Sequence, residues 1–362
     1  MAGSTSCRHP RGAGAASAGG RRVHLQIKPG LRTAWRAPDS LQIGLDPRRG
    51  AVLEGLTADD RGLVDRLARG LDDAALPGGG PGAERARRLL GLLRSTDLLV
   101  AASRGRAQPP PAGPASRRLA PDAAVWGVVH PGDRDGWEVL AARSHRSVQV
   151  AGSGRLASAL VDLLTAAGVG EVTPLPAAPE PSPGDAADLV VLVRTAVADS
   201  VAGDRLLAAD VPHLSVVVRE AGIVVGPLVL PGGAPCLRCL DLHRTDRDPG
   251  WPRLLAQLPG RPSPGDAGET ASSHLGAGLA ALQVLAHLDA AAAGPQARPR
   301  PAAVGATLEI DLPDGLVARR PWPVHPACGC AWPAAASLAA PEVDRPAAPR
   351  VTGGAPGPGQ GE

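Results

Sequence analysis

Two cysteine pairs constrain this chain more than any other feature. Cys236 and Cys239 form a C-x-x-C inside the stretch Gly226 to His243, GPLVLPGGAPCLRCLDLH. Far downstream, Cys328 and Cys330 form a C-x-C in the run His325 to Cys330. Two thiolate pairs on tight turns, separated by a long insertion, match the spacing of a tetrahedral zinc site. Everything between the pairs must then fold as a unit whose ends come back together. Four thiolates leave no position open for water, so such a site is structural rather than catalytic. His325 offers a substitute ligand if one sulfur does not reach, and free core cysteines are the alternative reading. The fifth cysteine, Cys7, sits in a Gly/Ala/Ser/Arg-rich leader.

The chemistry available elsewhere is restricted. The 362 residues, enough for about two domains, carry 38 basic and 35 acidic groups. That balance argues against a general nucleic-acid or acidic-surface binder. There is no Phe or Tyr, and Lys28 is the only lysine. Any mechanism needing a catalytic lysine elsewhere is excluded. No run of about 18 apolar residues is present, so no transmembrane helix is expected. The N-terminus lacks a secretory apolar core. A cytoplasmic setting follows, and it favours metal over disulfide for the paired cysteines.

Along the chain, composition and pattern divide it into segments. Residues 1–22 read as a disordered N-terminus, 23–100 as a small α+β domain and 101–122 as a Pro/Arg-rich linker. Residues 123–333 read as an α/β domain and 334–362 as a disordered tail. In the first domain, alternation over residues 23–27, 41–45 and 51–56 predicts a three-stranded antiparallel sheet. Thr57 to Asp60 reads as a variant capping box opening a helix, with Leu63, Val64, Leu67 and Leu71 at helical spacing. A second helix is predicted over residues 82–100. Three strands and two helices in so few residues make a winged-helix-like module. Its helices are not plainly basic, which argues against duplex binding. A module of this shape can instead bind a peptide by adding a strand to a sheet edge. The strand Ser40 to Leu45, with Leu41, Ile43 and Leu45, is the candidate.

The α/β domain opens, after a strand and short helix near residues 125–146, with a short apolar strand at Val148 to Ala151. The G-x-G-x-x-A turn Gly152 to Ala157 follows, then a helix to Ala167 and a second strand, Val169 to Leu175. Glycines here permit a tight turn and close approach of a phosphate to a helix N-terminus. A Rossmann-like βαβ unit is predicted. A dinucleotide oxidoreductase would want an acid ending the second strand, but Glu180 lies beyond it among prolines. Further strands are predicted over 188–193, 213–218 and 222–230. A long Ala-rich helix follows over 271–293, with Leu275, Leu279, Leu282, Leu285 and Leu288 facing inward. His274 and His287 on it read as packed or exposed residues rather than ligands. A hairpin turning at Pro313 to Gly315 leads into the second cysteine pair.

A glycine-loop βαβ unit, then G-x-x-x-x-P-G-x-x-P-C-x-x-C, then a late cysteine pair, resembles the ThiF/MoeB group of ubiquitin-activating-type adenylyltransferases. The resemblance covers about residues 147–331, and its C-x-C departs from the group's commoner C-x-x-C. The N-terminal module is similar to the leader-peptide recognition domain that precedes this fold in azoline-forming systems. The resemblance implies a component that binds a precursor's leader peptide and presents it to a separate ATP-using cyclodehydratase. It also implies a homodimer. Adenylating members bind ATP on the glycine loop, here Gly152 and Gly154. Arg155 stands at the loop's mouth, and Asp199 stands where the group's metal-binding aspartate falls. The second-strand acid and the phosphate lysine are missing from this sequence. The expected protein is therefore a degenerate ThiF-type fold with structural zinc, retained for binding. An active ATP-dependent adenylyltransferase is the alternative.

Overall fold

The computed structural model describes residues 23–72, 75–76, 78–103, 114–130, 132, 136–180, 187–258, 268–293 and 300–330. The disordered ends predicted at 1–22 and 334–362 lie outside these residues.

The N-terminal domain is α+β but holds two small sheets, not one. β1 (Val23–Ile27) is flanked antiparallel by β5 (Leu71–Asp72) and β6 (Leu99–Ser103). The second sheet runs β2 (Thr33–Ala37), β3 (Ser40–Ile43), β4 (Ala51–Leu53), all antiparallel. α1 (Ala58–Arg69) begins with the predicted capping box: Thr57 Oγ1 accepts from Asp60 N, and Asp60 returns a bond from Thr57 N at 2.8 Å. α2 (Pro81–Ser95) lies beside it. Leu25, Ile27, Leu41, Ile43, Leu67 and Leu93 close one core between the sheets and helices.

Four expectations for this half are corrected. The first predicted strand pairs with Leu99–Ser103, not with the hairpin that follows it. Leu71, expected on the first helix, instead begins a short strand. The second helix stops at Ser95, because Asp97 adopts φ 59° and turns the chain into β6. The linker is shorter than predicted, since β6 runs to Ser103 and α3 starts at Pro114 and continues to Val129. Where a strand was expected near Val125, this helix continues, and α4 (Gly136–Arg143) follows.

A buried joint fastens the halves. Lys28 is 1% exposed; its Nζ donates to Asp97 Oδ2 at 2.8 Å and to the His130 carbonyl at 3.2 Å. Within the second domain, Arg143 makes a forked pair with Asp289, Nε–Oδ1 2.7 Å and Nη2–Oδ2 2.6 Å, with both side chains buried. Trp126 covers that guanidinium at 4.5 Å.

The second domain is the predicted α/β sandwich. Its seven-stranded sheet has the order β13-β12-β11-β10-β9-β7-β8. β7 (Ser147–Ala151), β8 (Glu171–Leu175), β9 (Leu189–Thr195) and β10 (His213–Arg219) are parallel. β11 (Gly222–Val229), β12 (Ala306–Asp311) and β13 (Val317–Pro321) continue antiparallel, and the last two are the predicted hairpin. β9 is apolar over five consecutive buried residues, as a parallel strand covered on both faces must be. α5 (Arg155–Ala166) and α9 (Thr270–Ala293) cover one face; α6 (Ser200–Ala208) and α7 (Leu237–Arg247) cover the other. α8 (Trp251–Gln257) follows α7. On α9, Leu285 and Leu288 are buried as expected, but Leu275 and Leu282 are exposed. Ala277, Ala280 and Val284 make the contact instead. Small residues let α9 lie close to α5, so the wide leucines turn outward.

Candidate functional site

Two places in the second domain hold the residues singled out by sequence. The first is the crevice beyond the carboxyl ends of β7 and β9. The chain leaves β7 for β8 on one side and reaches β9 on the other, so the strand order reverses here. Such switch points are where open α/β sheets bind ligands. The predicted glycine loop sits there. Gly152 has φ 145°, and a Cβ on it would lie 2.4 Å from the Val193 carbonyl oxygen, so only glycine fits. Gly154 precedes α5 and leaves its first N–H groups open. The loop, Pro176, Ala177, Val193, Arg194 and Thr195 bound a pocket of about 330 Å³.

The charged groups around this pocket are engaged within the protein. Arg155 Nη1 donates to the Gly268 carbonyl at 2.8 Å. Asp199 caps α6, accepting from Ala202 N at 2.9 Å, and pairs with Arg194 at 3.1 Å. Arg194 Nη1 donates to the Ala151 and Val193 carbonyls, both at 2.9 Å. Ala151 is the last residue of β7 and Val193 lies two residues before the end of β9, so the guanidinium lies across the switch point itself. Sequence reasoning missed Arg194. Its only local signal was a charge ending an otherwise apolar strand. Pro176 and Ala177 occupy the end of β8, where a ribose-binding acid would stand, and Glu180 pairs with Arg205 on α6.

The second place is the cysteine cluster. Cys236 is the N-cap of α7 and Cys239 lies in its first turn. The chain returning from β13 brings Cys328 and Cys330 against them. Sγ separations are 3.8 Å for 236–239, 3.4 Å for 236–328 and 3.3 Å for 239–330. All four ligand atoms lie within 4.8 Å of one another, a group that could hold a metal ion. Zinc–sulfur bonds of about 2.3 Å in a tetrahedron place sulfurs about 3.8 Å apart. The cluster fits with expansion of a few tenths of an ångström. Four sulfurs this close cannot all ionise unaided. The S–H of Cys236 helps hold the Cys239 thiol down to about 4, while Cys236 is pushed up. Burial pushes Cys328 up to about 12. A bound dication would remove that repulsion.

His325 is not placed as a substitute ligand. Its Nε2 lies 2.9 Å from Asp246 Oδ2, and its Nδ1 accepts the Ala327 N–H at 3.1 Å. His274 bonds the Thr270 carbonyl of its own helix, and His287 is half-buried, as the sequence suggested.

The proposed peptide-binding residues are separated by the fold. Leu41 and Ile43 are buried in the core, and Leu45 lies past the strand with 70% exposure. β3 is the middle strand of its sheet, paired on both sides, so it offers no edge. The edges belong to β2 and β4. Val52 on β4 and Leu45 in the loop between β3 and β4 are exposed; on β2, Trp35 lies under Arg61 at 4.3 Å.

No family model matches the sequence, and no curated protein does either. The likeness lies in the structure. The chain has the ThiF/MoeB-type fold, with a small α+β domain in front. Specifically, it is similar to the heterocyclase TruD (TM-score 0.59, 19% identity, 85% of this chain and 43% of that chain). It is equally similar to a heterocyclase solved with substrate and cofactor (TM-score 0.59, 18% identity, 85% and 39%). It is also similar to Escherichia coli MccB (TM-score 0.60, 13% identity, 85% and 98%). The chain thus spans less than half the length of the heterocyclases and nearly all of MccB. The Rossmann-like domain is little more than half of this chain, so an 85% match takes in part of the N-terminal domain too.

Proposed function

We propose that this chain is the leader-peptide-binding component of a ribosomal-peptide azoline-forming system. Its winged-helix-like N-terminal domain receives the precursor's leader by strand addition. Its ThiF-like domain, tied by a structural zinc on Cys236, Cys239, Cys328 and Cys330, docks a separate ATP-using cyclodehydratase. The switch-point crevice is catalytically degenerate. The observation that carries this reading is Arg194, whose guanidinium spans the ends of β7 and β9 where a nucleotide phosphate would rest. With no lysine in the domain and Asp199 committed to Arg194 and α6, a transferring phosphoryl group lacks stabilising partners. One such donor is typically worth about 2.7–4 kcal/mol of barrier. A likeness that reaches into the N-terminal domain, to heterocyclases and to MccB solved with MccA peptide, supports the peptide side.

The edge of β4 is the place for the strand, because Val52 on it and Leu45 in the loop before it are exposed. The second reading, an active adenylyltransferase, is favoured by the intact Gly152 loop and by MccB solved with ATP. Fluorescence anisotropy with a labelled leader peptide from a precursor gene beside this one tests the proposal. Binding should weaken at least ~10-fold in the Leu45→Glu/Val52→Glu variant, since both positions are on the surface. ATP–pyrophosphate exchange should stay at background. Robust exchange that vanishes in Gly154→Asp would replace this reading with the second.

A further inference from the structure

Cys239, His243 and Asp246 lie at i, i+4 and i+7 of α7, one face of one helix. That face carries a metal ligand and, beyond it, two groups that grip the returning chain. His243 Nε2 bonds the Pro323 carbonyl at 3.0 Å, and its ring meets His325 edge-on at 4.7 Å between centroids. Asp246 Oδ2 lies 2.9 Å from His325 Nε2. His325 is 7% exposed, and it divides its bonds between the two sides. Its ring Nδ1 takes the Ala327 N–H, its carbonyl takes the Cys328 N–H at 3.0 Å, and its own N–H points at Cys239 Sγ at 3.4 Å.

His243, Asp246 and His325 also have the composition of a second metal centre, with ligand atoms within 4.8 Å. The hydrogen bonds argue otherwise. Nδ1 of a neutral imidazole that accepts an N–H leaves its proton on Nε2. That Nε2–H donates to Asp246, so the lone pair a metal would need is absent.

We propose that Asp246 and His325 form a metal-independent clasp that keeps Cys328 and Cys330 within ligand distance of Cys236 and Cys239. Both are positioning residues. With this clasp the two cysteine pairs stay together without an ion, whereas many small zinc modules have no site until metal folds them. The clasp is a bond between Nε2–H and a carbonyl-type oxygen, so asparagine at 246 preserves it and leucine removes it. The proposal rests on the cysteine cluster being a metal site only for its consequence, not for its test.

The test compares the full chain with Asp246→Leu and Asp246→Asn. Each is stripped with chelator under reductant, and amide hydrogen exchange is read over residues 323–330. The metal-free parent should exchange there at least ~10-fold more slowly than Asp246→Leu, with Asp246→Asn within ~3-fold of the parent. In the zinc-loaded forms, loss of zinc to a chromogenic chelator should be ~10–100-fold faster for Asp246→Leu, the range seen when groups supporting metal ligands are removed. Equal exchange in metal-free parent and Asp246→Leu overturns the clasp. Asp246→Asn behaving like Asp246→Leu overturns it too, because charge rather than the hydrogen bond would be responsible. The exchange comparison needs no metal, so it decides the clasp even for a chain that fails to take zinc.

Discussion

Replacing Arg194 with alanine should turn a poor nucleotide pocket into a better one. In the folded chain the guanidinium makes two hydrogen bonds to the Ala151 and Val193 carbonyls and a pair with Asp199. A phosphate entering the crevice must displace it. Hydrogen bonds from a charged donor are worth about 1.5–3 kcal/mol each. The Asp199 pair is 22% and 29% exposed, so we assign it no more than about 1 kcal/mol. Water can take up part of what the carbonyls lose. Displacement then costs about 3 kcal/mol, which is ~100-fold in affinity. Titration with a fluorescent ATP analogue should give weak binding, in the millimolar range, for the parent. It should tighten by one to two orders of magnitude, roughly, in Arg194→Ala. Gly154→Asp should abolish the gain, since it places a carboxylate in the loop. Tight binding by the parent that weakens in Arg194→Ala would refute the reasoning. Arg194 would then be a phosphate ligand, and the crevice a working one.

Three other outcomes follow from the same contacts. Asp289→Leu leaves Arg143 buried without a counter-charge and should cost about 3–5 kcal/mol in urea unfolding. Arg143→Met with Asp289→Leu should recover most of it, and a single variant within about 1 kcal/mol of the parent would contradict the burial argument. Burial holds the His213 ring below its ordinary value, so the native ring stays neutral while the unfolded chain takes up a proton. Stability from this residue is full above about pH 6.5 and lost as pH falls below it, by up to ~1.4 kcal/mol per unit. His213→Leu should flatten that part of a stability–pH curve, although His287, lowered by burial as well, keeps a share. Cys328→Ser should reduce bound zinc from about one ion per chain to a small fraction by elemental analysis, because a hydroxyl is a poor zinc ligand.

Features written in short-range pattern were legible in the sequence. The capping box at Thr57, the glycine loop at Gly152, the β12–β13 hairpin and the spacing within each cysteine pair follow from a few neighbouring residues. What depended on distant partners was not legible. β1 alternates like the strands after it, and nothing local says that its partner is Leu99–Ser103. The apolar run at Leu98 to Val100 continues the spacing of α2, so it read as helix until Asp97 broke it. α3 hid in a Pro/Arg-rich stretch and carries Pro121 inside it. Leu41 and Ile43 have the alternation of any half-buried strand, and alternation cannot tell a middle strand from an edge. Arg194 and Asp246 gain their meaning only from what the fold sets against them.

Lys28 gives the molecule an internal gauge. It is the only side-chain amine in the sequence, and it is sealed at the joint between the two halves. An acylating reagent applied to the folded protein would find that amine shielded. Its rate of acylation at Lys28 would report how often the N-terminal half lifts away from the α/β half. A ligand or partner that opens or tightens the joint would change that rate, with no engineered label required.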